Sequence, residues 1–96
     1  MQVQFNFTEF FDVPAHFIEI EYEVEATHIG EDGWVIDDAF AISVTDRPLH
    51  ADPTGLQLDD HRAAAIGVGL LRRASRNAEL FGELCDEAAR HLQYAR

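Results

Sequence analysis

Lysine is absent from the sequence: all seven basic residues are arginines, set against eighteen aspartates and glutamates. Cysteine occurs once, as Cys85, which excludes an internal disulfide and a fold that depends on oxidation. No apolar run approaches the roughly 18 residues of a helical membrane span, and no basic-then-apolar leader is recognisable. A cytoplasmic location is therefore expected, in the host cytoplasm if a phage encodes the chain. The paired cysteines of a zinc ribbon and the HExxH pattern of a zinc protease are both missing.

Apolar material is plentiful by contrast. A hydrophobic fraction of 47% with seven phenylalanines is far above what disorder tolerates, so a folded globule is expected. Ninety-six residues can enclose only one modest core, which makes residues 1–96 a single domain.

The charge divides the chain in two. The formal net charge is -11, and residues 1–57 carry all of it, with twelve acids against Arg47 alone. Residues 58–96 hold six acids and six arginines and balance to zero. A surface this acidic repels nucleic acid and anionic membranes, so direct binding of either is not expected. It suits a basic partner, or solubility alone.

The first half has the period of strands. Val3, Phe5 and Phe7 alternate with Gln2, Gln4, Asn6 and Thr8. Residues 9–16, with Pro14, read as a connection. Over 17–27, Ile18, Ile20, Tyr22, Val24 and Ala26 fall on one face, and Glu19, Glu21, Glu23 and Glu25 on the other. A helix would scatter that pattern around its axis. Gly30 and the Asp32-Gly33 pair suit a hairpin turn. A third strand over about 34–45 puts Trp34, Ile36, Phe40, Ile42 and Val44 in phase, with Asp38 on the apolar parity predicting a bulge at 37–39.

Residues 46–58, with Pro48, Pro53 and Gly55, read as a loop, after which the period turns helical. Asp59 or Asp60 can cap a helix to about Ser75 that buries Ala63, Gly67, Leu70, Leu71 and Ala74. From Asn77 a second stripe carries Leu80, Phe81, Leu84, Cys85, Ala88 and Leu92. One unbroken helix from Asp59 to Tyr94 would span roughly 54 Å, too long for a compact domain of this size, so a break at 75–77 is expected. The predicted fold is α+β, a three-stranded antiparallel sheet (1–45) packed on two C-terminal helices (59–96) in the order βββαα. Ile18, Ile20, Tyr22, Val24, Phe5 and Phe40 would meet Leu70, Leu71, Phe81 and Leu84, with Gly67 and Gly69 allowing close approach.

No catalytic set emerges. Ser43 and Ser75 lie in no GxSxG setting, and Cys85 sits on an apolar helical stripe, where an inert thiol is the ordinary case. Gly67-Val68-Gly69 lacks the lysine of a phosphate loop. His16, His28, His50, His61 and His91 form no pair at ligand spacing, and the acids at 31–38 lack the alternation of a calcium loop. No enzyme activity, metal or cofactor is expected. Arg72, Arg73 and Arg76 gather at the helical break, where they can pair with acids of the chain or cap carbonyls.

The glutamate row is the one unusual feature. Alternate strand residues stand about 6.8 Å apart, near the spacing of successive phosphates on a nucleic-acid strand. An ordinary solvated sheet face would interleave both signs, since like charges on neighbouring positions are unfavourable. The expected partner-binding residues are Glu19, Glu21, Glu23 and Glu25, with Glu31, Asp32, Asp37 and Asp38 beside them. The expected partner is a basic protein surface, such as that of a nuclease or nucleoprotein complex. In size and charge the chain is comparable to phage-encoded inhibitors of nucleases, restriction systems and CRISPR complexes, and to immunity proteins. No family motif carries that analogy further. The alternative is a structural protein that forms homodimers or larger assemblies through Phe10, Phe11 or the helices, its acidity serving solubility.

Overall fold

The computed structural model describes residues 1–31 and 33–94, with side chains placed through residue 92 apart from residue 32. Strands β1 (Gln2–Val13), β2 (His16–Ile29) and β3 (Gly33–Pro48) are followed by a two-residue β4 (Thr54–Gly55), then α1 (Asp60–Arg76) and α2 (Ala78–Tyr94). The sheet is antiparallel in the order β1-β2-β3-β4, so the structure is α+β with four strands rather than three. The fourth was unreadable because Thr54 and Gly55 are too few to show a period; they pair with Asp46 and Thr45 inside the expected loop.

Register sorts the two faces of the sheet. Val3, Phe5 and Phe7 oppose Ala26, Val24 and Tyr22, and these six are buried on the inner face. The expected connection over 9–16 shrinks to a two-residue turn at Pro14 and Ala15, because β1 stays paired with β2 as far as Val13. Ala15 takes the left-handed φ of 66° that this tight turn demands. Phe10 consequently points outward and stacks on Phe17 at 5.4 Å, whereas Phe11 points inward.

Strand β3 carries two bulges. Its register slips at Asp37, where one was expected, and again at Ile42. The slip at Asp37 inverts the expected phase and the slip at Ile42 restores it for Val44: between them Ala39 and Ala41 face the core, and Phe40 and Ile42 face out at 36% and 42% exposure. Phe40 therefore does not belong to the core. The cause lies in α1, where a Cβ on Gly67 would stand 1.8 Å from the Ala39 carbonyl oxygen. Only small side chains fit beneath a helix this close. Gly69, expected to share that role, faces open space.

Both helices lie on the inner face, α1 mainly against β3 and α2 mainly against β1. Leu70, Ala74, Leu80, Leu84 and Ala88 close the core over Phe5, Tyr22 and Val24. The sheet is longer than its cover. The molecule extends 48 Å along its longest axis, and a 17-residue helix spans only about 26 Å. Ile18 and Ile20 are consequently half-buried, and Phe81 stands at the rim.

The helical break falls at Asn77. Its backbone is extended, which ends α1, and its side-chain oxygen accepts from the backbone N–H groups of Glu79 and Leu80 at 3.0 and 3.2 Å, which starts α2. Asp59 caps α1 in the same way, accepting from the Arg62 N–H at 2.7 Å. No helix among the described residues is long and apolar enough to cross a membrane.

Candidate functional site

The outer face of the sheet is built on β2, the strand with paired neighbours on both sides. Glu19, Glu21, Glu23 and Glu25 lie along it in one row. Gln4, Asn6, Thr8 and Phe10 flank the row on β1; Asp38, Phe40, Ser43 and Thr45 flank it on β3. Pairing on both sides holds β2 extended, so the carboxylate pitch is set by backbone geometry.

The row is partly held by its neighbours. Gln4 donates to the Glu25 carboxylate at 2.7 Å and Asn6 to that of Glu21 at 3.2 Å. These neutral amides fix two side chains without cancelling charge. Among the described residues, one ion pair touches the row: Arg47 reaches Glu19 at 3.1 Å. The row is thus compensated at its Glu19 end and uncompensated towards Glu25.

The remaining candidates cluster at that open end. Asp37 is the bulged residue and accepts from the Thr27 hydroxyl. Asp38 stands opposite Glu25 and accepts from the backbone N–H of Ala39 at 2.9 Å. Glu31 is exposed in the β2–β3 turn. Asp32 lies outside the described residues. The structure thus brings Glu25, Asp37 and Asp38 together beside the hairpin, while Glu19 sits at the other end of the row near Phe17 and Phe10.

The inner face treats charge differently. Glu9 falls on the apolar parity of β1, and its side chain is 13% exposed. Arg73 grips it with both terminal nitrogens at 2.7 Å, and the buried Tyr22 hydroxyl donates to it at 2.8 Å. The Arg73 guanidinium also lies 5.4 Å from the Phe11 ring centre, within cation–π range. Burial and the Glu9 carboxylate push the Tyr22 hydroxyl pKa well above its ordinary value, while Glu9 holds Arg73 protonated. Sequence reading offered Arg72, Arg73 and Arg76 either acids of the chain or helix carbonyls as partners; Arg73 takes the first, and Glu9 was not foreseen as that acid. The signal was available: an acid in phase with Val3, Phe5 and Phe7 needs a partner.

No group of three or more histidine, cysteine, aspartate or glutamate side chains is gathered for a metal among the described residues. Cys85 is half-buried, and burial followed by the nearby Asp86 charge raises its pKa, which disfavours the thiolate. Sequence reading also missed the outward Phe40 and Ile42, which give the acidic face an apolar component. Comparison with protein-family models, curated proteins and solved structures finds no match.

Proposed function

We propose that the chain is a docking protein, not an enzyme, and that its outer sheet face occupies a basic nucleic-acid-binding surface on another protein and blocks it. The observation that carries this reading is the row of Glu19, Glu21, Glu23 and Glu25 on a doubly paired strand, with Arg47 as its one intramolecular ion-pair partner among the described residues. A backbone-fixed row loses little conformational entropy on binding, and each carboxylate can form charge-assisted hydrogen bonds to arginine or lysine. Long-range attraction by a surface of this sign speeds encounter with a cationic groove. The inhibitor role, of the kind seen in phage proteins directed against nucleases or CRISPR complexes, follows from that chemistry: whatever fills such a groove excludes its nucleic acid.

The test compares wild type with a Glu19→Gln/Glu21→Gln/Glu23→Gln/Glu25→Gln variant in affinity capture, followed by titration of the captured protein. Binding should fall at least tenfold in the variant, weaken steeply between about 50 and 200 mM salt, over which the Debye length halves from roughly 14 to roughly 7 Å, and be displaced by duplex DNA or RNA. Affinity that ignores salt and the four substitutions would dismiss the reading.

A second reading has one observation in its favour. Strand β1 is a sheet edge of twelve residues, and from Gln2 to Thr8 it carries no charge, proline or bulge of the kind that protects edges. Two copies could pair along it, which would make the protein a self-assembling one. Sedimentation equilibrium decides: a dimer abolished by Asn6→Pro would support assembly, and a monomer at high micromolar concentration would exclude it.

A further inference from the structure

The close approach of α1 to β3 leaves a trough of about 250 Å³ beside their contact, open to solvent. Ala39, Phe40, Ala63, Ala64 and Val68 line it, and Asp38 and Asp60 supply carboxylates. Helical spacing accounts for this lining, because positions 60, 63, 64, 67 and 68 share one face of α1. Gly67 brings that face onto the Ala39 backbone, and Phe40, on the outer side of the same strand, borders the trough from the sheet edge.

We propose that this trough seats one arginine side chain of the basic partner, an inference that rests on the docking function proposed above. Its volume lies below the roughly 300–1,000 Å³ of small-molecule sites, so a side chain suits it better than a nucleotide or cofactor. An apolar channel with acids at its edge matches an aliphatic stem that ends in a cation. Among the described residues, neither Asp38 nor Asp60 has an arginine or histidine of the chain within ion-pair distance. One Asp38 oxygen accepts from Ala39, and among the described residues the other accepts no hydrogen bond and can receive an incoming N–H. Phe40 offers a ring against which a planar guanidinium can stack, which favours arginine over lysine. Asp38 also stands opposite Glu25, so the trough adjoins the uncompensated end of the row. An arginine there would fix the register of a partner that the row holds only by charge.

The experiment is a ¹⁵N-NMR titration of the full chain at 150 mM salt with acetylated hexa-arginine amide, hexalysine and hexacitrulline as probes. Hexa-arginine should shift the amides of Ala39, Phe40, Ala63, Ala64 and Val68 saturably. Hexalysine should bind there at least threefold more weakly, and uncharged hexacitrulline should leave them unmoved. Ala64→Trp, at an exposed position, fills the trough and should abolish these shifts while those along Glu19–Glu25 persist. Asp38→Asn/Asp60→Asn, which adds no bulk, should weaken them about tenfold. Equal shifts with citrulline, or trough shifts that survive Ala64→Trp, would overturn the seat. Hexa-arginine shifts confined to β2 would reject the seat and leave the acidic row standing. Trough shifts without any on β2 would keep the seat and reject the row, and no shifts at either would reject both.

Discussion

The two faces of β2 hold acids under opposite rules. On the inner side Glu9, from the neighbouring strand, is shut in with Arg73 and Tyr22, and its polar contacts with them are 2.7–2.8 Å. On the outer side the four glutamates of β2 have, among the described residues, one ion-pair partner, Arg47 against Glu19. The difference is one of dielectric. An unpaired charge inside would cost several kcal/mol, whereas water screens the outer row to a fraction of that. The inner acid is therefore tied to stability, and the outer acids are available for the binding role we propose.

The comparison can be broken most strongly at the helix–sheet contact that sends Phe40 outward. Gly67→Ala places a methyl group into the Ala39 carbonyl. We expect about 3 kcal/mol of overpacking, offset by about 1 kcal/mol of helix propensity, for a net loss of about 2 kcal/mol in urea unfolding. An unchanged midpoint would mean that the helix can retreat freely. Arg73→Met should cost slightly less, about 1.5 kcal/mol, since Arg73 is 42% exposed and water compensates part of the loss. Adding Glu9→Gln should recover more than half of it. Additive losses would show that the pair is not coupled.

Alkaline pH sharpens the same contrast. Tyr22 is held protonated in the folded state, so its contribution is complete below the ordinary tyrosine pKa of about 10 and is lost as pH rises beyond it. Stability should fall by up to about 1.4 kcal/mol per pH unit above about pH 10. In Tyr22→Phe that slope should shrink at the expense of about 1 kcal/mol at neutral pH. Equal alkaline slopes in the two proteins would refute the burial of this hydroxyl. The smallest effect belongs to the outer face. Glu23→Gln should raise stability, by no more than about 0.5 kcal/mol at low salt, because it relieves repulsion from Glu21 and Glu25. The gain should vanish at high salt. A loss instead would mean that the row contributes to folding.

Local chemistry decided much of this protein in advance. The alternation over 17–27 and the aspartate cap of α1 each depend on a few adjacent residues and were readable from the sequence as a period and a cap. The break expected at 75–77 followed instead from the length of an unbroken helix, and Asn77 supplies its local cause. The segregation of charge followed from the same alternation. What the chain order could not reveal is what depends on distance between elements. Phe40 and Ile42 have the hydropathy of core residues, and only the approach of Gly67, some thirty residues away in sequence, turns them outward by demanding Ala39 and Ala41 beneath the helix. Glu9 finds Arg73 64 positions along the chain, and the trough at Asp38 and Asp60 exists only where β3 and α1 meet. Periodicity is a property of one strand or helix and is written in its residues; steric room and charge pairing are properties of two, and tertiary packing alone supplies them.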